Sequence, residues 1–214
     1  MRFRPVTPER LIAELADRIA VTAPQGRLRV AIDGAPAAEP ELLAGALVDP
    51  LRARGRPALH VRTEDFLRPA SLRLEHGRRD PDSYYDGWYD LAGLRREVLD
   101  PAGPAGCGRV LPSLWDSRAD RASRADYVDL PPGGVLLVSG ALLAGAGLPV
   151  ELTVHLLLTP GALGRRTPAD QQWTLPAFAR YADEVAPHRF ADVVVRADDP
   201  RRPALGEPAA DSRG

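Results

Sequence analysis

The stretch AIDGAPAAEPELLAGAL, residues 31–47, runs from a hydrophobic segment through a loop of small residues into a helical pattern. A strand, a tight loop and a helix N-terminus in that order form a phosphate cradle, because backbone N–H groups and the helix dipole converge on an anion. Such a loop also carries a lysine for the β- and γ-phosphate oxygens and a Ser or Thr hydroxyl for magnesium. With Gly34 as the first glycine of the loop, Glu39 stands at the second, Pro40 at the lysine and Glu41 at the hydroxyl. Proline removes a backbone donor along with the charge. A carboxylate beside a phosphate repels it, by about 4 kcal/mol for unit charges ~4 Å apart at an effective dielectric near ~20. The chain has no lysine anywhere, and its GxxxxG spacings, Gly103 to Gly108 and Gly140 to Gly145, are followed by arginine and alanine, so no second loop takes over.

The remaining chemistry lies where hydrophobic runs end. Asp33-Gly34, Asp65-Phe66 and Ser139-Gly140 each close such a run. Tyr84, Tyr85, Trp88 and Tyr89 fall within six residues of a polar segment. Flat aromatic faces of this kind stack on a nucleobase or anchor a polar insertion. His155 sits in an apolar run and reads as a core residue, and no histidine pair has metal-ligand spacing, so no metal site is expected. Cys107 is the only cysteine, which excludes an internal disulfide and a cysteine-based cluster.

The elements that must position these residues follow from periodicity. Thr7-Pro8 opens an amphipathic helix with Leu11, Leu15 and Ile19 on one face; Glu14, Asp17 and Arg18 interrupt its apolar residues, so a helix of the fold and not a signal peptide is expected. Apolar runs at 28–34, 58–66, 133–143, 151–159 and 190–200 read as strands, and most are continuous, as in a parallel sheet buried on both faces. Helical patterns fall at 41–54, 92–101 and 175–185, and Thr167-Pro168 marks another start. Strands alternating with helices give an α/β fold: a parallel sheet of about five strands, residues 28–34 central, with helices on both faces. Ligands bind such sheets at the carboxyl ends of the strands, which gathers Asp33, Gly34, Asp65, Phe66 and Ser139. The expected organisation is an N-terminal helix packed on the core over residues 1–24, one domain over 25–205 and a flexible tail over 206–214. A formal net charge of −1 argues against a nucleic-acid partner. The longest apolar stretch, VLLVSGALLAGAGLPV, is glycine-broken and too short for a bilayer, so a cytoplasmic protein without a membrane partner is expected.

The segments RVAIDG, RTEDFLRP, GRRDPDSYYDGWYDLAGLRREVLDP, VLPSLWDSRAD, GGVLLVSGALLA, TVHLLLT and RYADEVAPHRFADVVVRADDP, in that order, resemble the uridine kinase family of P-loop kinases in the form common among actinobacterial proteins. The resemblance implies a P-loop NTPase-type sheet, transfer of phosphate from ATP and magnesium to a nucleoside 5′-hydroxyl, and a Walker A loop that is degenerate here. It makes Asp65 the acid that accepts the hydroxyl proton. It places Asp33, Gly34, Ala37, Ala38, Glu39, Pro40 and Glu41 on the donor side, with Arg165 and Arg166 as phosphate-clamping lid arginines. Phe66, Tyr84, Tyr85, Trp115, Asp116 and Arg118 fall on the nucleoside side. Asp120 stands where many members have a histidine, and Ser139 where many have a magnesium-holding acid. Three functions are compatible with these residues: a nucleoside kinase with unusual phosphate contacts, a silent relative that binds a nucleoside or related small molecule without a cofactor, and a scaffold for a protein partner.

Overall fold

The computed structural model describes residues 1–207. The seven strands of its main sheet are β1 (Arg2–Pro5), β2 (Leu28–Gly34), β3 (Ala58–Arg62), β4 (Val135–Gly140), β5 (Leu152–Leu157), β6 (Val193–Arg196) and β7 (Ala204–Glu207). They lie in the order β1-β7-β6-β5-β2-β4-β3. The five from β6 to β3 are parallel and correspond to the five apolar runs, with β2 in the middle. The other two extend one edge: β7 pairs antiparallel with β6, and β1 antiparallel with β7. Residues 206 and 207, expected in a flexible tail, are therefore part of the sheet, and the rest of that expectation, residues 208–214, lies outside the described residues.

Helices cover both faces. On one, α1 (Pro8–Val21) and α2 (Pro40–Ala53) bury Leu11, Leu15, Ile19, Leu47 and Leu51 against Val30, Ile32 and Val154. Thr7 caps α1 by accepting the Arg10 amide at 3.2 Å, and Pro8 takes the first helical position, where a missing N–H costs nothing. On the other face, residues 91–102 form a continuous helical stretch with a π-helical middle and pack Leu94, Val98 and Leu99 on Ala31, Leu136 and Val138. A third apolar cluster sits over the carboxyl ends of the strands. There α3 (Pro81–Gly87) and α5 (Leu175–Glu184) bring Tyr84, Phe178 and Tyr181 onto Ala141 and Leu142.

Two expectations change. The helix expected from Thr167-Pro168 is a 3-10 stretch, Ala169–Thr174; the full helix, α4 (Pro160–Arg166), starts one Thr-Pro pair earlier, with Thr159 accepting the Ala162 amide. The second strand stops at Arg62, and residues 63–66 turn as a 3-10 helix. Among the described residues, no helix is long and apolar enough to cross a membrane.

Buried Arg56 joins three of these elements. Its guanidinium donates to the carbonyls of Ala20 at 2.8 Å and Thr22 at 3.0 Å, which close α1, to Gly26 at 3.3 Å before β2, and to Gly133 before β4. An ammonium group has the same charge but three donors on a flexible stem, and cannot span this set. Arg56→Lys is therefore expected to lower unfolding stability by about 1–3 kcal/mol, the cost of leaving buried carbonyls unpaired, read as a lower urea midpoint at unchanged slope.

Candidate functional site

The central strand ends in a buried carboxylate. Asp33 has no exposed surface; its Oδ1 accepts the Leu143 amide at 2.9 Å, and its Oδ2 lies 2.7 Å from His155 Nδ1 and 3.0 Å from the Tyr181 hydroxyl. Asp33 and His155 are register partners on β2 and β5, so the pleat itself aligns this pair. Burial and the Asp33 charge hold the Tyr181 phenol far above its ordinary range. The residue read as a donor-side ligand is thus committed to the fold: it ties β2 to β5, to the turn after β4 and to α5.

The loop beyond it is closed on itself. Gly34 is required by close packing, since a Cβ there would lie 2.9 Å from Leu156 Cβ. Pro36–Ala38 make a 3-10 turn in which the amides of Ala38 and Glu39 donate to the carbonyls of Ala35 at 2.7 Å and Pro36 at 2.9 Å. Pro36 and Pro40 have no amide hydrogen. Glu39 adopts the left-handed conformation, φ 59° and ψ 48°, a shape that suits glycine. Its carboxylate faces Arg166 Nη2 at 3.5 Å, and Arg166 Nη1 donates to the Ala197 carbonyl at 2.5 Å. Ala38 is buried, and Arg165 is exposed on α4. Glu41 lies 3.8 Å from Arg62, whose guanidinium grips both oxygens of Asp65 at 2.9 and 2.7 Å. Ser139 Oγ lies 2.7 Å from His60 Nε2, and burial holds that imidazole below its usual range.

Three adjoining cavities open at these strand ends, and Glu64 lines all three. The largest, about 580 Å³, runs from Ala37 and Glu39 of the loop, with Arg166 beside Glu39, to Arg73, Tyr84 and Trp88. A second, about 300 Å³, lies between Pro40, Glu41 and Gly140. The third, about 500 Å³, is bounded by Arg62, Asp65, Trp115, Asp116 and Arg118. Glu64 accepts the Tyr89 hydroxyl at 2.9 Å. Burial raises its pKa first and the Glu41 charge adds to this, against the Tyr89 hydrogen bond and the arginines Arg62 and Arg73. Glu41 is raised by burial as well.

The expected site residues fall in different surroundings. Because the chain turns at Thr63, Glu64 enters the central cavity, whereas Asp65 stands in the third cavity in a closed ion pair. Phe66, expected beside the substrate, is 1% exposed and belongs to the core. Tyr84 lines the largest cavity, its ring held among Trp88 at 5.3 Å, Trp173 at 5.6 Å and Phe178 at 5.8 Å. Tyr85 points away: it donates to Glu184 at 3.2 Å under the Arg180 guanidinium, 4.1 Å from its ring centre. Trp115 donates to Asp120 at 3.1 Å, and Asp116 accepts the amides of Arg118 and Ala119, so this pair shapes its own turn. Glu64, Arg73 and Trp88 are cavity residues that the sequence reading left out of the site. For Glu64 the signal was present in TEDF, where two adjacent acids precede a buried aromatic.

A buried carboxyl raised in this way favours folding below the ordinary glutamate range, and that contribution fades as pH climbs through the raised value. Glu64→Gln keeps an acceptor for Tyr89 and removes the titration. The melting temperature of the variant should match wild type near pH ~3 and exceed it at neutral pH, the difference opening above the ordinary glutamate pKa of about 4.3.

No family model and no curated protein matches this chain. Solved structures do. One, from Bacillus stearothermophilus and described as a possible uridine kinase, superposes with a TM-score of 0.71 at 21% identity over 87% of this chain and 97% of that one. Another, from Silicibacter sp. TM1040 and described as a fructose transport system kinase, gives 0.55 at 23% identity over 86% and 93%. At these identities the likeness is one of architecture, and the chain has a P-loop kinase-type α/β fold.

Proposed function

We propose that this chain is a cytoplasmic, uridine kinase-like protein that binds a nucleoside or a similar small molecule in its largest cavity and no longer uses ATP as a phosphate donor. The observation that carries this reading is the state of the loop after β2. Two of its amides are turned inward, two of its positions are prolines, and its side chains toward the cavity are the carboxylates of Glu39 and Glu41. The residues present do not fit a triphosphate with magnesium, so no transfer step is derived through them.

The acceptor side keeps what a polyhydroxylated, flat ligand needs. Tyr84 and Trp88 give one wall an apolar aromatic surface, worth about 1–3 kcal/mol to a stacked base. Arg73 and Glu64 supply a fixed cation and a carboxyl acceptor within the same cavity. Glu64 is also the group suited to take a proton from a bound hydroxyl, because burial brings its pKa closer to neutrality. In this reading Glu64 orients the sugar, and Asp65 stays neutralised by Arg62.

Titration calorimetry with ATP and magnesium should give binding weaker than ~1 mM, about −4 kcal/mol, and micromolar binding would overturn the loss of the donor side. Uridine or cytidine should raise the melting temperature by mass action, and Trp88→Ala and Glu64→Gln should each shrink that rise. A melting temperature indifferent to every ribonucleoside tested would refute the binding role.

A further inference from the structure

A cavity of about 360 Å³ lies apart from the three described above, between the end of β5, α4, α5 and the turn at residues 187–189. Its walls are apolar, with Leu158, Leu163, Leu175, Phe178 and Pro187 prominent among them. This volume falls in the range of small-molecule sites, which pair apolar walls with a few placed polar groups.

One such group is fixed here. His155 lines the cavity and is 6% exposed. Its Nδ1 lies 2.7 Å from Asp33, whose carboxylate accepts there, so Nδ1 carries a proton and Nε2 is the ring nitrogen left for the cavity. No protein group among the described residues bonds Nε2. Thr63 Oγ1 is the single buried side-chain polar atom among them left without a partner, so Nε2 is not sealed in the packing; it reaches open space. Tyr181, on the same wall, is spent on Asp33 and the Ala144 carbonyl, and His188 stands half-buried at the rim.

We propose that this cavity is a second ligand site, for a small, mainly apolar molecule that donates one N–H or O–H to His155 Nε2. The ring cannot rotate to avoid the ligand without breaking its bond to Asp33, so the acceptor is preorganised and the site selects for a donor at one place on the ligand. Ala35, the first residue of the loop after Gly34, also lines the cavity, which sets the occupant directly behind that loop.

Indole and indene test this, since they share shape and differ in the N–H donor. With histidine isotope-labelled protein, indole should bind saturably, move the His155 ring nitrogen signals and leave those of His60 in place. Indene should bind about tenfold more weakly, the loss of one hydrogen bond to a buried acceptor. Ala179→Phe, at the exposed rim on α5, should abolish indole binding while leaving the Asp33 network untouched. Absence of saturable binding, equal affinity for indene and indole, an unmoved His155 signal, or full binding to Ala179→Phe would each overturn the proposal.

Discussion

A single buried carboxylate sets the geometry of the whole carboxyl end of the sheet. The Asp33 carboxyl group in the interior is tolerable only because strand, turn and helix each send it a donor, the Leu143 amide, the His155 ring and the Tyr181 hydroxyl. Those donors come from three segments far apart in sequence, so satisfying the carboxylate fixes their positions relative to β2. The phosphate-type loop, the Glu64 cavities and the apolar cavity behind β5 all hang from this arrangement. Breaking one partner of such a set is costly, because the charge remains behind without compensation.

The absence of lysine shapes the rest of the molecule. Guanidinium groups do the work of joining elements: Arg56 gathers four carbonyls, Arg27 reaches Leu130 and Gly106, and Arg29 combines Glu151 with the Leu99 carbonyl. Near the site the same group acts on carboxylates instead, with Arg62 on Asp65 and Arg166 beside Glu39. Planar forks with several donors are suited to both tasks. The acidic loop and its arginine partners therefore neutralise each other locally.

The sequence showed the parallel part of the sheet clearly, because strands buried on both faces must be continuously apolar, as most of the five runs are, and all five runs became strands. The strands β1 and β7 were hidden by their composition: RFRP and ALGE are short and mixed, and only their pairing, β1 with β7 and β7 with β6, defines them. Residue types made the altered loop legible, since Pro40 and Glu41 lack the required chemistry whatever their exact placement. Which acid faces the cavity was a different matter. A turn of the backbone after Arg62 sets the surroundings of Glu64 and Asp65, and the phase of a seven-residue helix sets those of Tyr85 and Trp88. Composition carries no record of either.

Glu39 keeps a left-handed backbone without the glycine that would make it effortless. The shape of the loop therefore comes from outside it, from the Asp33 anchor before it and the packing of α2 after it. Exchanging a non-glycine for glycine at such a position relieves strain in the folded chain and adds freedom to the unfolded one, two effects of opposite sign. In design terms the loop is a socket: the surrounding elements and its own two turn hydrogen bonds hold its form.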